Sequence, residues 1–220
     1  MSAVLASLNI QHCARSTPQA VAALLTEHGV GLAALQEVDR NMARSGSRDQ
    51  PSLLAAAAHL PHATFCPTLE RAGGEYGLLL LSARPLLSYR DVALPRRGAE
   101  EPRRAQIAHV DIEGERVCVV NTHLSVDPVS GRRQMEFIAR TLLPAGELFV
   151  LAGDWNGQTV PDALAEGDDG PTWPVERPRA RLDHLAVSSG FPLGLTWAAV
   201  CRADITDHCM VVARIDRAAG

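Results

Sequence analysis

The stretch Leu151-Ala152-Gly153-Asp154-Trp155-Asn156-Gly157 shows the pattern that decides the fold of this chain. A short apolar run, typical of a buried strand, ends at a glycine that lets the backbone turn. Asp154 and Asn156 follow, and residues two apart on extended backbone face the same side. A carboxylate and an amide placed together suit the binding of a phosphate group and a water molecule. Turns rich in Asp and Asn have the same composition, so the stretch indicates a site only together with others like it.

Short apolar runs of this kind recur along the chain and alternate with turn signals. The segment Glu166–Arg181 is rich in Gly, Pro and charge, which indicates a long loop of a kind that is often functional. Many strands with few helices predict an α/β fold, either a mixed sheet or a sheet sandwich with helices outside. No linker divides the sequence, which predicts a single domain over residues 1–220. We predict helices over Thr17–His28, Ser52–Leu60 and Ser130–Leu143, and strands near Ala3–Ile10, Leu32–Gln36, Ala63–Pro67, Tyr76–Ser82, Leu86–Leu94, Ala105–Ile112, Val117–Thr122, Leu148–Ala152, Leu182–Ser188 and Cys209–Ile215.

Composition and charge exclude several classes of protein. The 220 residues carry a formal net charge of -4 at pH 7, which argues against binding to nucleic acid mainly through bulk positive charge. All 21 basic residues are arginines, so lysine nucleophiles, Schiff bases and a phosphate-loop lysine are excluded. Arginine is also the better bidentate ligand where a phosphate has to be bound.

Cysteine spacing and the absence of long apolar segments indicate where the protein works. The five cysteines are scattered and form no Cys-x-x-Cys pair, so neither a disulfide framework nor a zinc ribbon is expected. The sequence opens on a predicted strand rather than on a basic and apolar leader, and no segment has the length of a membrane span. We therefore expect a soluble cytoplasmic protein, and the sequence leaves its oligomeric state open.

Five further polar clusters lie at the ends of predicted strands. Each has an ordinary explanation when taken alone, since strand-end Asn often forms a turn, strand-end Glu is usually solvated, and a lone His is usually a core residue. Chance placement in a purely structural protein would give a random assortment, whereas the central residues are only Asn, Asp, Glu and His. There is no serine nucleophile elbow, Gly-x-Gly-x-x-Gly, Walker loop or His-Glu-x-x-His. This inventory fits metal-assisted hydrolysis of a phosphate ester. The five clusters are Leu8-Asn9-Ile10, Leu35-Gln36-Glu37-Val38-Asp39, Val119-Val120-Asn121-Thr122-His123-Leu124, Arg181-Leu182-Asp183-His184-Leu185 and Thr206-Asp207-His208.

The order of the clusters resembles the motifs of the endonuclease/exonuclease/phosphatase superfamily. Its members include pancreatic-type deoxyribonuclease, sphingomyelinases, inositol polyphosphate 5-phosphatases and AP endonucleases. The resemblance covers almost the whole chain, and eight motifs in the family's order are a specific signal although each is common alone. They are Leu8-Asn9, Gln36-Glu37-Val38, Glu75-Tyr76-Gly77, Glu101-Pro102-Arg103, Asn121-Thr122-His123-Leu124, Gly153-Asp154-Trp155-Asn156, Leu182-Asp183-His184 and Thr206-Asp207-His208.

The resemblance implies a fold and a metal-dependent reaction. The implied fold is a four-layer α/β/β/α sandwich, in which two mainly antiparallel or mixed sheets are flanked by helices and the site lies at one end. Glu37 is the implied principal ligand of Mg²⁺ or Mn²⁺, assisted by Asn9, and Asp207 is a further possible metal contact. His208, oriented by Asp183 or a nearby carboxylate, is implied to activate the attacking water.

The remaining implied roles concern the phosphate. Asp154 and Asn156 would orient the water and bind the phosphate. His123 would stabilise the transition state or the leaving group, and Glu75 would fix the ring of His123 by a hydrogen bond. Arg103 is implied to contact the phosphate or another part of the substrate.

Departures from the family pattern narrow the choice of substrate. Thr122-His123-Leu124-Ser125 lacks the Tyr-containing segment of AP endonucleases, and Gly77-Leu78-Leu79-Leu80 lacks an amide that is frequent near the site. Basic inositol-phosphate signatures and long apolar hairpins for lipid docking are not recognisable. The sequence therefore predicts a Mg²⁺- or Mn²⁺-dependent phosphodiesterase resembling the nucleases, acting on nucleic acid or a small phosphodiester. A phosphomonoesterase, a phospholipid phosphodiesterase and an inactive binding protein on the same fold are the alternatives.

Overall fold

All ten predicted strands are present in the computed structural model, which describes residues 3–143, 147–168, 170–188 and 193–217. The α-helices are α1 (Pro18–Glu27), α2 (Gln50–Ala57) and α3 (Pro128–Phe137), which a π-helical turn continues over Ile138–Leu142; short 3-10 turns cover Gln11–Cys13 and Ala43–Ser45. The strands are β1 (Ala3–Asn9), β2 (Leu32–Arg40), β3 (His62–Arg71), β4 (Gly74–Ser82), β5 (Leu86–Ala93), β6 (Arg104–Ile112), β7 (Glu115–His123), β8 (Leu148–Asp154), β9 (Leu164–Ala165), β10 (Asp183–Ser188), β11 (Leu193–Cys201) and β12 (Met210–Arg217).

The described strands form two six-stranded mixed sheets. The order is β11-β12-β1-β2-β4-β3 in the first sheet and β5-β6-β7-β8-β10-β9 in the second. Only β1 with β2 and β7 with β8 run parallel among the described pairs. A parallel connection has to cross over the sheet, usually through a helix, and α1 and α3 provide these two crossovers.

Apolar side chains alternate along the strands and build four layers. Leu5 and Leu80 of the first sheet and Val119 and Val150 of the second belong to one buried cluster between the sheets. The outer face of the first sheet packs against α1 and α2, and the outer face of the second packs against α3. Each fully buried large apolar side chain contributes roughly 1.5–3 kcal/mol. The two stacked sheets with helices on both outer faces confirm the predicted α/β/β/α sandwich.

Each α-helix begins at a side chain that caps it. Thr17, Asp49 and Asp127 each accept a hydrogen bond from the backbone N–H three residues further on, and a proline occupies the first turn of each helix. Such caps satisfy N–H groups that have no partner inside the helix. Because Asp49 is the cap, α2 starts two residues before the predicted range Ser52–Leu60.

The structure differs from the prediction mainly at strand ends and edges. β2 does not stop at Gln36 but continues through a bulge to Arg40. β11 was not predicted, because it is an edge strand in which only Leu193 is buried, so it lacks a clear apolar pattern. The predicted loop Glu166–Arg181 contains one isolated bridge, and its residue 169 lies outside the described residues.

Three buried amides connect the two sheets directly below one end of the sandwich. Gln36 Nε2 of the first sheet donates to Asn121 Oδ1 of the second at 2.8 Å, and Asn121 Nδ2 donates to Gln106 Oε1 at 3.1 Å. Gln106 Nε2 then returns to the first sheet and donates to the carbonyl oxygen of Thr64 at 2.6 Å. Buried polar groups have to be paired, so these bonds fix how the sheets lie against each other.

The strand directions gather polar residues at that end. The carboxyl ends of β1, β2, β7 and β8 meet there, and the antiparallel neighbours β10 and β12 begin there. None of the helices in the described ranges combines the length and hydropathy required to cross a membrane.

Candidate active site

A cleft of about 520 Å³ opens at the end of the sandwich where the polar strand ends meet. Its walls come from both sheets, so neither sheet alone forms it. The predicted site residues on its lining are Glu37, Arg103, His123, Asp154, Asn156 and His208.

Glu37 reaches the cleft because β2 is bulged. Gln36 and Glu37 together stand opposite the single residue Leu78 of β4, so the register shifts at this point. Glu37 adopts φ +58°, a left-handed conformation that is unfavourable for a residue with a Cβ. The bulge leaves the Glu37 side chain 24% exposed, whereas the other β2 residues from Leu32 to Asp39 are buried.

Asn9 connects the carboxylates of the two sheets. Its Oδ1 accepts a hydrogen bond from the backbone N–H of Gln11 at 3.0 Å, which turns Nδ2 towards the cleft. Nδ2 donates to Glu37 Oε1 and to Asp154 Oδ2, in both cases at 3.1 Å. A single amide nitrogen therefore joins the ends of β2 and β8.

The surroundings of Glu37 stabilise its charged form. Burial opposes ionisation, but His12 and Asn9 on one side and His123 on the other outweigh it and lower the pKa of Glu37 to about 2. His12 Nδ1 lies 3.7 Å from Glu37 Oε2. Glu37 is therefore a carboxylate throughout the physiological pH range.

His208 and Asp183 form a hydrogen-bonded pair on the opposite wall. His208 precedes β12 and Asp183 begins β10; Nδ1 of His208 lies 2.8 Å from Asp183 Oδ2. The Asp183 side chain is fully buried, and its backbone N–H donates to Thr172 Oγ1 at 3.0 Å. Burial acts against the charged imidazole, but Asp183, together with Asp154 and Asp207, outweighs it and raises the pKa of His208 to about 9. The free nitrogen, Nε2, lies 3.9 Å from Asp154 Oδ2.

Asp154 is a buried carboxylate on the cleft lining and lies opposite Asp183 in the β8–β10 register. Burial and the negative charge of Asp183 raise its pKa. Asp154 Oδ1 accepts the backbone N–H of Asn156 at 3.0 Å, so the turn after β8 is closed by the site itself. The amide of Asn156 donates to the carbonyl oxygen of Leu124 at 2.9 Å.

His123 and Arg103 place an imidazole and a guanidinium on the remaining side. Nε2 of His123 lies 3.5 Å from Asp154 Oδ2. Burial and the charge of Arg103 lower the pKa of His123 to about 3, so this imidazole is neutral at pH 7. Arg103 also lies 3.3 Å from the carboxylate of Glu101 at the rim of the cleft.

The donor atoms fit a hard divalent cation. One ligand atom from each of Asp154, Asp183 and His208 lies within 4.8 Å of the other two, and all three residues are buried. Asp183 Oδ1 is buried and has no hydrogen-bond partner in the described part of the chain. Carboxylate oxygens are the ligands that Mg²⁺ and Mn²⁺ prefer, and Glu37 adds another across Asn9. The Asp154–Asp183–His208 group is therefore able to bind a metal ion.

Two predicted residues lie differently from their implied roles. The carboxylate of Glu75 accepts from Arg40 Nε, and no hydrogen bond joins Glu75 to His123 within the described ranges, so that predicted bond is wrong. Glu75 instead neutralises an arginine on the neighbouring strand β2. Asp207 accepts from Trp173 Nε1 at 3.3 Å and lies 4.0 Å from His208 Nε2, beside the cleft. A metal-binding role for Asp207 stays a prediction.

The cleft also contains residues that the sequence did not single out. Arg44 lies on the lining, donates to both carboxylate oxygens of Asp39 and stacks at 5.0 Å on the ring of Tyr76. No strand pattern marks Arg44, because it lies in a 3-10 turn after β2. Trp173 comes from the loop Glu166–Arg181, whose composition was the available signal.

The fold and the sequence were compared with known proteins. Three solved structures, each less than 25% identical, share the fold. An endonuclease/exonuclease/phosphatase from Beutenbergia cavernae has a TM-score of 0.84 and 22% identity, covering 98% of this chain and 72% of that one. A mannosyl-6-phosphatase from Bacteroides thetaiotaomicron has a TM-score of 0.76 and 14% identity, and the match covers 98% of this chain and 100% of that one. D. rerio TDP2 complexed with a single-strand DNA product has a TM-score of 0.75 and 14% identity, and the match covers 98% of this chain and 99% of that one.

Comparison with curated proteins gives no match. The family model described as the endonuclease/exonuclease/phosphatase family matches residues 6–208, which include every residue of the cleft described above. The chain therefore belongs to the endonuclease/exonuclease/phosphatase family.

Proposed function

We propose that this protein is a Mg²⁺- or Mn²⁺-dependent phosphodiesterase that hydrolyses a nucleic-acid strand or a small phosphodiester by in-line attack of water. The observation that carries the proposal is the His208–Asp183 pair, whose free Nε2 faces Asp154 in a cleft that also contains Glu37 and Arg103. An oriented imidazole next to carboxylates can activate a water molecule, and a guanidinium can bind a phosphate group.

His208 is the proposed general base. Asp183 holds Nδ1 and fixes the tautomer, so Nε2 is the nitrogen that takes the proton from water. In the metal-free chain its pKa of about 9 keeps His208 protonated at pH 7. Positive charge nearby lowers the pKa of an imidazole, so a cation held by Glu37 and Asp154 would let His208 accept a proton nearer to neutral pH.

Glu37 and Asp154, which the Asn9 amide joins, would hold the cation, and Asp183 and His208 of the Asp154–Asp183–His208 group would then serve the proton transfer and not ligate the metal. When bound, a divalent cation supplies positive charge that stabilises the phosphoryl oxygens as negative charge builds up on them. Asn9 keeps the two carboxylates at a fixed separation, so the chain is organised for this charge before substrate arrives.

His123, Arg103 and Asn156 would bind the phosphate group. His123 is neutral at pH 7 and can donate a hydrogen bond to a phosphate or leaving-group oxygen without holding a competing charge. Arg103 offers a planar fork that matches two phosphate oxygens. The neutral His123 donor and the Arg103 guanidinium would stabilise the transition state more than the substrate, because the phosphoryl oxygens carry more negative charge in the transition state.

A second cavity favours an extended anionic substrate. A pocket of about 360 Å³ adjoins the cleft, shares Arg44 with it and is also lined by His12 and Arg48. Among the described residues, no carboxylate lies within 4.0 Å of the Arg48 guanidinium. A substrate with a second phosphate next to the one that reacts would bring negative charge to Arg48. The DNA-bound structure of TDP2 has the same fold.

A substrate panel tests the proposal. A single-phosphate aryl diester, an aryl monoester, a single-stranded oligonucleotide and phospholipid vesicles would be incubated with Mg²⁺, Mn²⁺ or a chelator. We expect metal-dependent release of product from the diester and the oligonucleotide, and loss of both in His208→Ala. Turnover of the monoester alone would support the phosphomonoesterase instead, and turnover of vesicles alone the phospholipid phosphodiesterase. No metal-dependent turnover in any arm would leave a binding protein on this fold.

A further inference from the structure

A row of polar side chains crosses the outer face of the second sheet, away from the cleft. Ser88 of β5 pairs in register with His109 of β6, and His109 pairs with Cys118 of β7. A bulge between Leu86 and Ser88 brings Ser88 into this row. Glu147 immediately precedes β8, the next strand of the sheet. The row interrupts a face whose neighbouring positions are apolar and packed under α3.

The side chains of the row are close enough to act together. Ser88 Oγ lies 2.8 Å from Nδ1 of His109, and Nε2 of His109 lies 3.4 Å from Glu147 Oε2. One nitrogen of His109, one carboxylate oxygen of Glu147 and the sulfur of Cys118 all lie within 4.8 Å of one another. An imidazole, a thiol and a carboxylate therefore converge from three adjacent parts of one sheet.

The three possible metal ligands of the row differ in their exposure. Cys118 is 2% exposed, the His109 side chain is 15% exposed and the Glu147 side chain is 43% exposed. The sulfur thus forms the floor and the carboxylate forms the rim. Glu147 is the most exposed of the three, so an ion would enter from its side.

We propose that His109, Cys118 and Glu147 form a binding site for a zinc-class transition-metal ion, distinct from the cleft. Nitrogen, sulfur and oxygen donors are the ligand types of Zn²⁺, whereas the oxygen-rich cleft suits harder cations. Cys118 precedes His123 by five residues on the same strand, which places the two groups about 16 Å apart at about 3.3 Å per residue. The two sites therefore share no ligand.

Ser88 supplies the outer hydrogen bond that a metal-binding histidine usually has. Its hydroxyl oxygen can accept the proton of His109 Nδ1, which leaves the lone pair of Nε2 directed towards Glu147. Bond lengths of about 2.0–2.3 Å in a tetrahedral set require ligand atoms to be roughly 3.5 Å apart. The separations of up to 4.8 Å have to contract, and the half-exposed Glu147 side chain is free to rotate inwards.

A simpler explanation of the row is a surface His109–Glu147 ion pair beside a core cysteine. The two explanations differ in the sulfur, because an ion pair leaves the Cys118 thiol protonated whereas a metal site requires the thiolate as a ligand. A measurement that detects a metal–sulfur bond decides between them.

Cobalt titration of the metal-free chain provides this measurement. Co²⁺ replaces Zn²⁺ in sites of this type, and a Co²⁺–thiolate bond gives a near-ultraviolet charge-transfer band that the oxygen and nitrogen donors of the cleft cannot give. We expect one equivalent of Co²⁺ to produce the band, Zn²⁺ to displace it, and Cys118→Ala to abolish it. Cys66→Ala is the matched control, since Cys66 is also buried in a strand, and this variant has to retain the band.

Two further variants keep the test decisive if Cys118→Ala does not fold. Ser88→Ala removes only the outer hydrogen bond and should weaken Zn²⁺ binding about tenfold. Glu147→Gln, on the surface, should weaken it at least as much. No band in the wild-type chain, a band that survives Cys118→Ala, or unchanged Zn²⁺ affinity in both surface variants would overturn the proposal. None of these outcomes depends on whether the cleft hydrolyses phosphate esters.

Discussion

Glu37 and Asp154 occupy equivalent places in the two sheets and differ in their charge behaviour. Each lies where the pairing of two parallel strands joined by a helix ends, and both accept a hydrogen bond from Asn9 Nδ2 at 3.1 Å. Glu37 is partly exposed beside His12 and has a pKa lowered to about 2. Asp154 is buried opposite Asp183 and has a raised pKa. The neighbours, and not the residue type, thus decide which carboxylate holds its charge alone.

This difference divides the labour of the proposed site. Glu37 is a permanent anion and is ready to hold a cation at any physiological pH. Ionisation of Asp154 is unfavourable in its buried position beside Asp183. Positive charge nearby, from a cation or from the protonated His208, favours the ionised form. Glu37 is therefore the committed carboxylate, which is always ionised, and Asp154 is the conditional one, whose ionisation depends on nearby positive charge. Cation binding would thus change the charge state of a residue in the proposed phosphate site.

The largest effect is expected from removing the charge of Asp154. In Asp154→Asn, kcat should fall by about 10²–10⁴-fold, because water and phosphate lose an oriented carboxylate. The metal-free chain should be as stable as the wild type or more so, because the repulsion with Asp183 is gone. Steady-state kinetics and thermal unfolding in chelator measure the two effects. Normal turnover together with a loss of stability would contradict the conditional role of Asp154.

The pH dependence of stability tests the cationic partner of Asp154. The pKa of His208 is about 9 in the folded chain against an ordinary 6.5. A raised pKa means that the pair stabilises the fold fully below pH 6.5 and loses this contribution as the pH rises through 9. The free energy of unfolding should therefore be about 3 kcal/mol lower above pH 9 than below pH 6.5. Urea unfolding in chelator should show this fall in the free energy of unfolding for the wild type.

His208→Gln is the control for that measurement, since it keeps a polar side chain without a titrating ring. Its free energy of unfolding should change much less between pH 6.5 and 9 than that of the wild type. Equal slopes in both proteins would show that His208 is not the protonated partner of Asp183 and Asp154.

Glu37→Gln tests the committed carboxylate. The variant should need about 10–100-fold more Mg²⁺ or Mn²⁺ for half-maximal activity, with kcat largely retained at saturating metal. Glu70→Gln is the matched control, because Glu70 is an exposed glutamate outside the cleft lining. A metal requirement that is unchanged in Glu37→Gln would assign the cation to the Asp154 side alone.

The smallest effect is expected at Arg48, outside the comparison of the two carboxylates. Arg48→Ala should raise KM for an oligonucleotide a few-fold and reduce the salt slope of binding by about 1, because one phosphate contact is lost. KM for a single-phosphate diester should not change. Arg71→Ala, at an exposed position outside both cavities, is the control. Equal effects on both substrates would refute a second phosphate position.

The sequence predicted the strands because burial leaves a periodic record in residue type. The apolar runs that became β1, β7 and β8 were recognisable, and so were the polar residues at their ends. The edge strand β11 was not, because an edge faces solvent and needs no apolar alternation.

Contacts within the site were less predictable than its residues. Asn9 and Glu37 were identified, but no local pattern shows that one amide bridges Glu37 and Asp154 across two sheets. The partner of Glu75 was predicted as His123, whereas the strand β2 brings Arg40 beside it. Long-range pairings of this kind depend on register, which is set by the bulge at Glu37 rather than by the composition of any segment.

The spacing of the site depends on three amides in the interior, those of Gln36, Asn121 and Gln106. Apolar packing is non-directional and would resist a sideways slip of one sheet only weakly, yet a slip of one residue, about 3.3 Å, would part Glu37 from Asp154. The hydrogen bonds of the three amides hold only in one alignment. Loops at the rim can therefore be lengthened or exchanged, and new substrates acquired, while the spacing that the chemistry requires is inherited unchanged from the interior.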